Sequence, residues 1–374
     1  MDVETGVRER YSLAAREKEA ALCCPAPGYD PGQLALLPEE IVEKDYGCGD
    51  PSRHVREGDV VVDLGSGAGK ICYLAAQSVG EAGRVIGVDM NDDMLTLARK
   101  YQPEMARKLG GDRLRFVKAQ IQDLALDLEA VDSYLAGHPV RSAADHARLL
   151  AWQETRRHTA PAIADASVDL VVSNCVLNLV RDRDKERLVR EIHRVLRPGG
   201  RVAISDIVSD EPIPEELKRD PELWSGCISG AFTEEDFLRA FAEAGFLAVR
   251  YDQWGAEPWK VVEGIEFRSV TLTAVKADEA PCLDRGHAVI YRGPYACVTD
   301  DEGHVYPRGV RMAVCERTCR FLTTGPLRAD FIGIAPAVPH EPVPWCAPAG
   351  TKRPASETKG AAHQGTGTGG TCCG

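Results

Sequence analysis

Residues 60–70 read V-V-V-D-L-G-S-G-A-G-K and constrain the fold more than any other stretch of the chain. The β-branched run from Val60 to Val62 is what a strand buried on both faces of a parallel sheet looks like. It passes through Asp63 into Gly65, Gly67 and Gly69, after which Ile71 to Ala76 has the apolar spacing of a helix. Strand, glycine turn and helix together aim backbone N–H groups and a helix N-terminus at a bound group. A phosphate-gripping P-loop is excluded, because Leu64 stands where its first glycine belongs and Ile71 where its hydroxyl residue belongs. A G-x-G-x-x-G dinucleotide loop is compatible with the spacing, since Ala68 is a permitted third position. Further on, Arg84 to Asp89 (R-V-I-G-V-D) forms a second strand ending in an acid, well placed for ribose hydroxyls.

The alternation continues down the chain. A helix from about Asp92 to Leu109 puts Met94, Leu97, Ala98 and Tyr101 on one side, and Leu114 to Ala119 forms a third strand leading to Ile121, Gln122 and Asp123. Ser167 to Ser173 is a fourth strand entering Asn174-Cys175. An amphipathic helix over Asp184 to Leu196 stops at Pro198-Gly199-Gly200, and Arg201 to Val208 is a fifth strand. A helix over Glu234 to Gly245 and closing strands over Phe246 to Tyr251 and Phe267 to Lys276 follow. Alternation at this spacing predicts an α/β domain over residues 59–276 with a doubly wound, mostly parallel sheet. Residues 124–164 are too long for a normal crossover and carry two helix-like segments, Leu126 to Leu135 and Ala143 to His158; they are expected to decorate the domain rather than close over it.

The flanks differ in character. Residues 1–58 form an N-terminal arm carrying Cys23, Cys24 and Cys48, with helical spacing from Glu4 to Leu22 and a short helix over Pro38 to Asp45. After residue 276, short β-like runs such as Ala288 to Tyr291 and Gly309 to Val314 predict a small β-rich domain to residue 346. The Gly/Thr/Lys/Ala-rich tail over 347–374, ending in Cys372-Cys373-Gly374, is expected to be disordered.

A formal charge of −12 argues against gripping nucleic-acid phosphates. No apolar run is long enough to span a membrane, and Met1 to Ala20 is charged throughout and lacks a signal-peptide core, so a cytoplasmic protein is expected. In that reducing compartment the chain's 13 cysteines are expected to work as thiols rather than as a disulfide framework.

Asp63, two residues before the first glycine, completes D-x-G-x-G-x-G, which resembles the S-adenosylmethionine (SAM) site of class I methyltransferases. R-V-L-R-P-G-G before the fifth strand is a second resemblance to the same Rossmann-like superfamily. The resemblance implies SAM as cofactor, held by Asp63, Gly65, Ser66, Gly67, Gly69, Asp89, Met90, Ile121, Gln122 and Asn174, with Asp123 as the alternative to Gln122 at the adenine.

The cysteines gather where such a sheet binds its ligands, beyond the carboxyl ends of the strands. Cys175 follows the fourth strand, Cys227 lies in the connection after the fifth, and Cys48 sits in a glycine turn before the first. A structural zinc site needs two close cysteine pairs, and only Cys315 and Cys319 have that spacing. No histidine is placed as a base for a nucleophilic cysteine. Cys72, Cys282 and Cys297 are expected to be packing residues.

Several motifs in order make the resemblance more specific. They are Cys23-Cys24, Y-G-C-G (Tyr46 to Gly49), D-L-G-S-G-A-G followed by Cys72-Tyr73, S-N-C-V-L-N-L (Ser173 to Leu179), S-D-I after the fifth strand, and W-x-x-C-x-x-G-A (Trp224 to Ala231). Over roughly residues 20–250 the chain is similar to the SAM-dependent arsenite methyltransferases. That family implies Cys175 and Cys227 as the thiolates binding As(III), and Cys48 as third ligand or as the thiol that closes a disulfide with Cys23 or Cys24. It also implies arsenite or its glutathione conjugate as substrate and thioredoxin or glutathione as reductant. Two other readings stand beside it: a class I methyltransferase acting on an organic small molecule, and a thiol-based metalloid-binding protein.

Overall fold

A computed structural model of the chain describes residues 3–17, 19, 28–44, 46–337, 341–345, 347–348 and 350–358. Cys23, Cys24, Cys346, Cys372 and Cys373 lie outside them. The chain divides into two compact units, Met1–Ala277 and Asp278–Gly374.

The first unit opens with helices α1 (Val3–Arg16), α2 (Pro31–Leu34) and α3 (Glu39–Glu43). The alternating part then runs β1 (Val60–Leu64), α4 (Lys70–Ser78), β2 (Arg84–Asp89), α5 (Asp92–Leu109) and β3 (Leu114–Lys118). After a helical pair, α6 (Leu128–Gly137) and α7 (Ala143–Thr159), come β4 (Val168–Asn174), α8 (Asp182–Val195) and β5 (Leu196–Ser209). Short helices α9 (Glu215–Lys218) and α10 (Pro221–Ser225) lead to β6 (Phe232–Thr233), α11 (Glu234–Glu243), β7 (Phe246–Trp254), β8 (Lys260–Val262) and β9 (Ile265–Lys276).

The sheet runs in the order β3-β2-β1-β4-β5-β9-β7. The first five strands are parallel, and β9 and β7 are antiparallel. Burial on both faces explains the apolar runs of the sequence. Val62 and Leu64 of β1 point into one core with Leu188, Ile192 and Phe237, while Val61 points into the other with Leu74, Met94 and Tyr73. Chain reversal in strand order places β1 and β4 side by side at the centre, so the turns after them open toward a shared crevice.

The arm is not separate from this domain. Ala14, Ala15, Leu37, Ile41 and Tyr46 belong to the same core as α4 and α5. The helix expected to reach Leu22 is described only to Arg16. The insertion is a pair of helices held by exposed stacking: Tyr134 lies 4.4 Å from both Trp152 and His138 between ring centroids. It is anchored to the sheet side by Arg157, which pairs with Asp123 at 2.9 Å, and by Asp132, which pairs with Lys118 of β3 at 3.0 Å.

In the second unit, β11 (Ala288–Tyr291) is the centre of a three-stranded antiparallel sheet, preceded by β10 (Leu283–Asp284) and followed by β12 (Cys297–Thr299) and β13 (Val305–Pro307). Its sheet neighbours are β14 (Arg311–Ala313) and β15 (Phe331–Ile334), with α12 (Glu316–Thr324) between them in sequence and β16 (Val343–Pro344) after. The expectation of disorder from residue 347 does not hold for the segment up to Thr358, and residues 359–374 lie outside the described residues. Arg353 pairs with Asp284 at 2.7 Å, Arg311 Nη1 donates to Thr358 Oγ1 at 2.6 Å, and Thr358 is buried. These polar contacts order a segment whose composition alone reads as solvated. Cys297, expected to pack, is exposed.

Candidate active site

The turn after β1 begins the site. Gly67 has φ +51°, and a Cβ placed on it would meet only the Met94 sulfur, at 4.0 Å, so the glycine leaves open space on the side of the crevice. Its N–H donates to Asp89 Oδ2 at 2.8 Å, and the other oxygen of Asp89 accepts from the Asn91 N–H at 2.8 Å. The second strand thereby ties the glycine loop down. Burial raises the Asp89 carboxyl above its ordinary value, opposed by these N–H donors. Asp63 accepts a hydrogen bond from the Cys72 thiol at 3.2 Å; burial first, and then this carboxylate, push that thiol well above its usual range.

Asp63, Gly65, Ser66, Gly67, Asp89, Met90, Ile121, Gln122 and Asn174 all line one cleft. Gly69 is not among its lining residues; it caps α4. Of the two adenine alternatives, Gln122 lines the cleft, whereas Asp123 is engaged by Arg157 and by Arg187 at 2.8 Å. No residue of 124–164 lines the cleft among the described residues, in keeping with decoration. Ser66 Oγ is buried with no hydrogen-bond partner and lies on the cleft, which fits a polar cofactor that would supply one.

Three cysteines meet at the end of this cleft. Cys175 lines it and is disulfide-bonded to Cys48, and the Cys227 thiol donates to the Cys175 carbonyl at 3.3 Å. The family-implied disulfide put Cys48 with Cys23 or Cys24; here its partner is Cys175, and Cys23 and Cys24 lie outside the described residues. Cys175 and Cys227 have φ of +60° and +62°, a left-handed backbone that non-glycine residues rarely adopt.

Asn174 does more than line the cleft. Its Oδ1 accepts from the N–H groups of Cys48 (2.8 Å) and Gly49 (3.1 Å), and its Nδ2 donates to the Gly49 carbonyl (2.9 Å) and Tyr29 hydroxyl (3.2 Å). A Cβ on Gly47 would lie 2.0 Å from Asn174 Nδ2, so the turn needs glycine to come this close. Asn178 and Trp224 support the Cys227 loop: Asn178 Nδ2 donates to the Ile207 (2.7 Å) and Cys227 (3.3 Å) carbonyls, and Trp224 Nε1 to the Leu179 carbonyl (3.3 Å).

Two functional residues escaped the sequence reading. Tyr11 of α1 lines the cleft; burial first, and then the neighbouring Cys227, push its hydroxyl well above its ordinary value. Arg10 fixes α1 there by donating to Ser225 Oγ at 2.7 Å and the Glu222 carbonyl at 3.1 Å. Nothing in the spacing of α1 marks this role, because its partners are some 200 residues away. Asp206 was visible only as part of the S-D-I motif. It is buried, accepts the Leu177 (2.9 Å) and Ile207 (2.8 Å) N–H groups, and is raised by burial to about 6.

Strand order, glycine loop and cleft together define a methyltransferase domain of the doubly wound, class I type. The family model described as "Methyltransferase domain" matches residues 56–151 and 153–245, and one described as "Domain of unknown function (DUF8838)" matches residues 278–363. The arsenite methyltransferase of Aquipseudomonas alcaligenes is 32% identical over 327 residues, covering 81% of this chain and 82% of that protein. The human arsenite methyltransferase is 28% identical, covering 82% and 76% respectively. The crystal structure of an arsenic(III) S-adenosylmethionine methyltransferase from Chlamydomonas reinhardtii is similar with a TM-score of 0.54 at 28% identity, covering 84% of this chain and 99% of that one. The chain belongs to the arsenite methyltransferase family.

Two outcomes follow from this geometry. Asn174→Ala removes the acceptor of two N–H groups, and leaving such groups unpaired costs about 1–3 kcal/mol each. In a titration with glutathione, the Cys48–Cys175 pair should then close roughly tenfold less readily; an unchanged equilibrium would reduce Asn174 to a cofactor contact. Asp206 has a folded pKa above its unfolded one, so its stabilising contribution is full below about 4 and is lost as pH rises through about 6. Unfolding free energies of wild type relative to Asp206→Asn should fall by about 3 kcal/mol across that window and stay level above it. A flat difference would mean that Asp206 does not titrate there.

Proposed function

We propose that the protein transfers the methyl group of SAM to trivalent arsenic held by Cys175 and Cys227, with Cys48 as third thiol. Arsenite is the first acceptor and methylarsenite the second. The observation that carries this reading is the meeting of three cysteines from distant parts of the chain at one end of the cofactor cleft. Their residue type suits the substrate, since soft thiolates are the side chains that hold a soft ion.

SAM, when bound, supplies an electrophilic methyl carbon on a sulfonium. Asp89 would take ribose hydroxyls, Ile121 and Gln122 the adenine, and Asp63 with the loop at Ser66 the amino-acid end. The protein's remaining task is positioning, with the arsenic lone pair held in line and roughly 3–3.5 Å from the carbon. No general base is required, because that lone pair carries no proton. Forming the As–C bond with the lone pair takes arsenic from As(III) to As(V). As Cys48 and Cys175 close to a disulfide, two As–S bonds break, one S–S bond forms and an electron pair returns to arsenic, which restores As(III). Cys48 and Cys175 are bonded in this way in the structure, so a reductant such as thioredoxin or glutathione would reopen the pair for the next round. Among the described residues no helix is long and apolar enough to cross a membrane, and a thiol cycle of this kind suits the reducing cytoplasm.

Radiolabelled SAM with arsenite and glutathione gives the test. Cys175→Ser and Cys227→Ser should lose methylation of both arsenite and methylarsenite. Cys48→Ser should lose the first step and keep the second. Full activity of Cys175→Ser on arsenite would overturn the scheme, and SAM binding without arsenite-dependent turnover would favour an organic acceptor.

A further inference from the structure

The second unit carries a cysteine pair that the reaction does not use. Cys282 precedes β10, and its carbonyl accepts the Trp345 N–H at 2.9 Å. Cys315 caps the N-terminus of α12: its sulfur accepts from the Thr318 N–H at 3.4 Å and lies 3.2 Å from Thr318 Oγ1. These two anchors turn Cys282 and Cys315 toward one cavity, where each lies within electrostatic reach of the other. Both are free thiols, and both line one cavity together with Tyr306, Arg317 and Trp345. Cys315 is buried, whereas Cys282 is only half-buried, so the pair is reachable from the Cys282 side. Cys282, expected from the sequence to be packing, instead faces this cavity with Cys315.

The electrostatic setting suits a ligand that replaces both protons. Burial raises the Cys282 thiol, and the neighbouring Cys315 raises it further, while Arg317 pulls it down. Two thiols so placed resist ionising together. The site is poor for zinc, which takes four ligands. Among the described residues no further histidine, cysteine or carboxylate joins this pair within metal-binding distance. A pyramidal ion that bonds two sulfurs and keeps its third valence fits better.

We propose that Cys282 and Cys315 form a second arsenical site, a dithiol that takes trivalent arsenic compounds with at least two exchangeable oxygens. Binding is ligand exchange without redox change: two As–O bonds break, two As–S bonds form, and the two thiol protons leave with the oxygens as water. The site shares no residue with the Cys48, Cys175 and Cys227 cluster, so either can fail without the other.

The probe is phenylarsine oxide, which reacts in water as its dihydroxide and so offers two exchangeable As–O bonds, added to the reduced full-length protein. N-ethylmaleimide labelling read by peptide mass spectrometry then reports each cysteine separately. With the arsenical well above its dissociation constant, alkylation of Cys282 should slow roughly tenfold or more. That protection should vanish in Cys315→Ser and persist in Cys319→Ser. Unchanged labelling of Cys282, or protection that survives Cys315→Ser, overturns the proposal. Because Cys315 is buried and its replacement could unfold the unit, Cys282→Ser provides a second arm. In a Cys48→Ser/Cys175→Ser/Cys227→Ser background it should lower bound arsenic by one equivalent per chain. No change in that stoichiometry also overturns the site.

Discussion

The site depends on one side-chain amide. Asn174 ends β4, and both its polar atoms are committed to the Y-G-C-G turn: two N–H groups donate to its oxygen, and its nitrogen donates to a carbonyl and a phenol. A turn more than a hundred residues away in sequence is thereby fastened to the carboxyl edge of the sheet. The backbone groups involved are withdrawn from solvent and need partners, so the turn has no equally good alternative place. Because Asn174 is followed directly by Cys175, the same residue sets the position of both halves of the disulfide and forms part of the cleft wall.

What the clamp makes possible is a strained backbone at the two remaining cysteine positions. A left-handed conformation at a non-glycine residue costs on the order of 1–3 kcal/mol and survives only where neighbours over-determine it. For Cys175 that determination comes from its N–H bond to the Ser205 carbonyl at 2.8 Å as well as from the disulfide. For Cys227 it comes from its N–H bond to the Trp224 carbonyl at 3.0 Å and from Asn178 on its own carbonyl. Asn178 also joins the loop after β4 to β5 through the Ile207 carbonyl, so the loops carrying Cys175 and Cys227 are held by one network. The strain sits where the proposed chemistry needs sulfur atoms aimed at a common point.

Much of this was legible in the sequence because it follows local rules. The β-branched run of β1 and the glycine loop are short-range patterns, and an acid at the end of β2 follows from strand periodicity. Cys175 and Cys227 could be placed beyond strand ends because the ends themselves could be placed. What stayed hidden depends on long-range approach. Asn174 reads as a cofactor contact until the turn at Cys48 is seen against it. Gln122 and Asp123 are indistinguishable until Arg157 and Arg187 arrive from two later helices to claim the acid. Tyr11 lies on a helix whose position is set by α5 and α10, and no periodicity within α1 reports that. The ordered segment up to Thr358 is held by ion pairs and hydrogen bonds of two arginines, which composition cannot reveal.

Thiol protonation links these features to the chemistry. The proposed chemistry needs thiolate ligands, whereas burial and then the contact with Asp63 favour the protonated form of Cys72 beside the glycine loop. Cys227 differs in its surroundings: its S–H is donated to the Cys175 carbonyl, and the buried Tyr11 hydroxyl is its electrostatic neighbour. In the proposed scheme Cys227 would give its proton to a departing hydroxide of arsenite, and the carbonyl contact would be lost. The Tyr11 hydroxyl, held far above its ordinary value, stays protonated at neutral pH and would be the donor for the sulfur. A hydrogen bond to the charged form favours that form, so the arm helix would stabilise the ligand state of Cys227 without itself giving up a proton. The substrate's own oxygens would act as the bases in that scheme, which therefore calls for no histidine base beside the three cysteines.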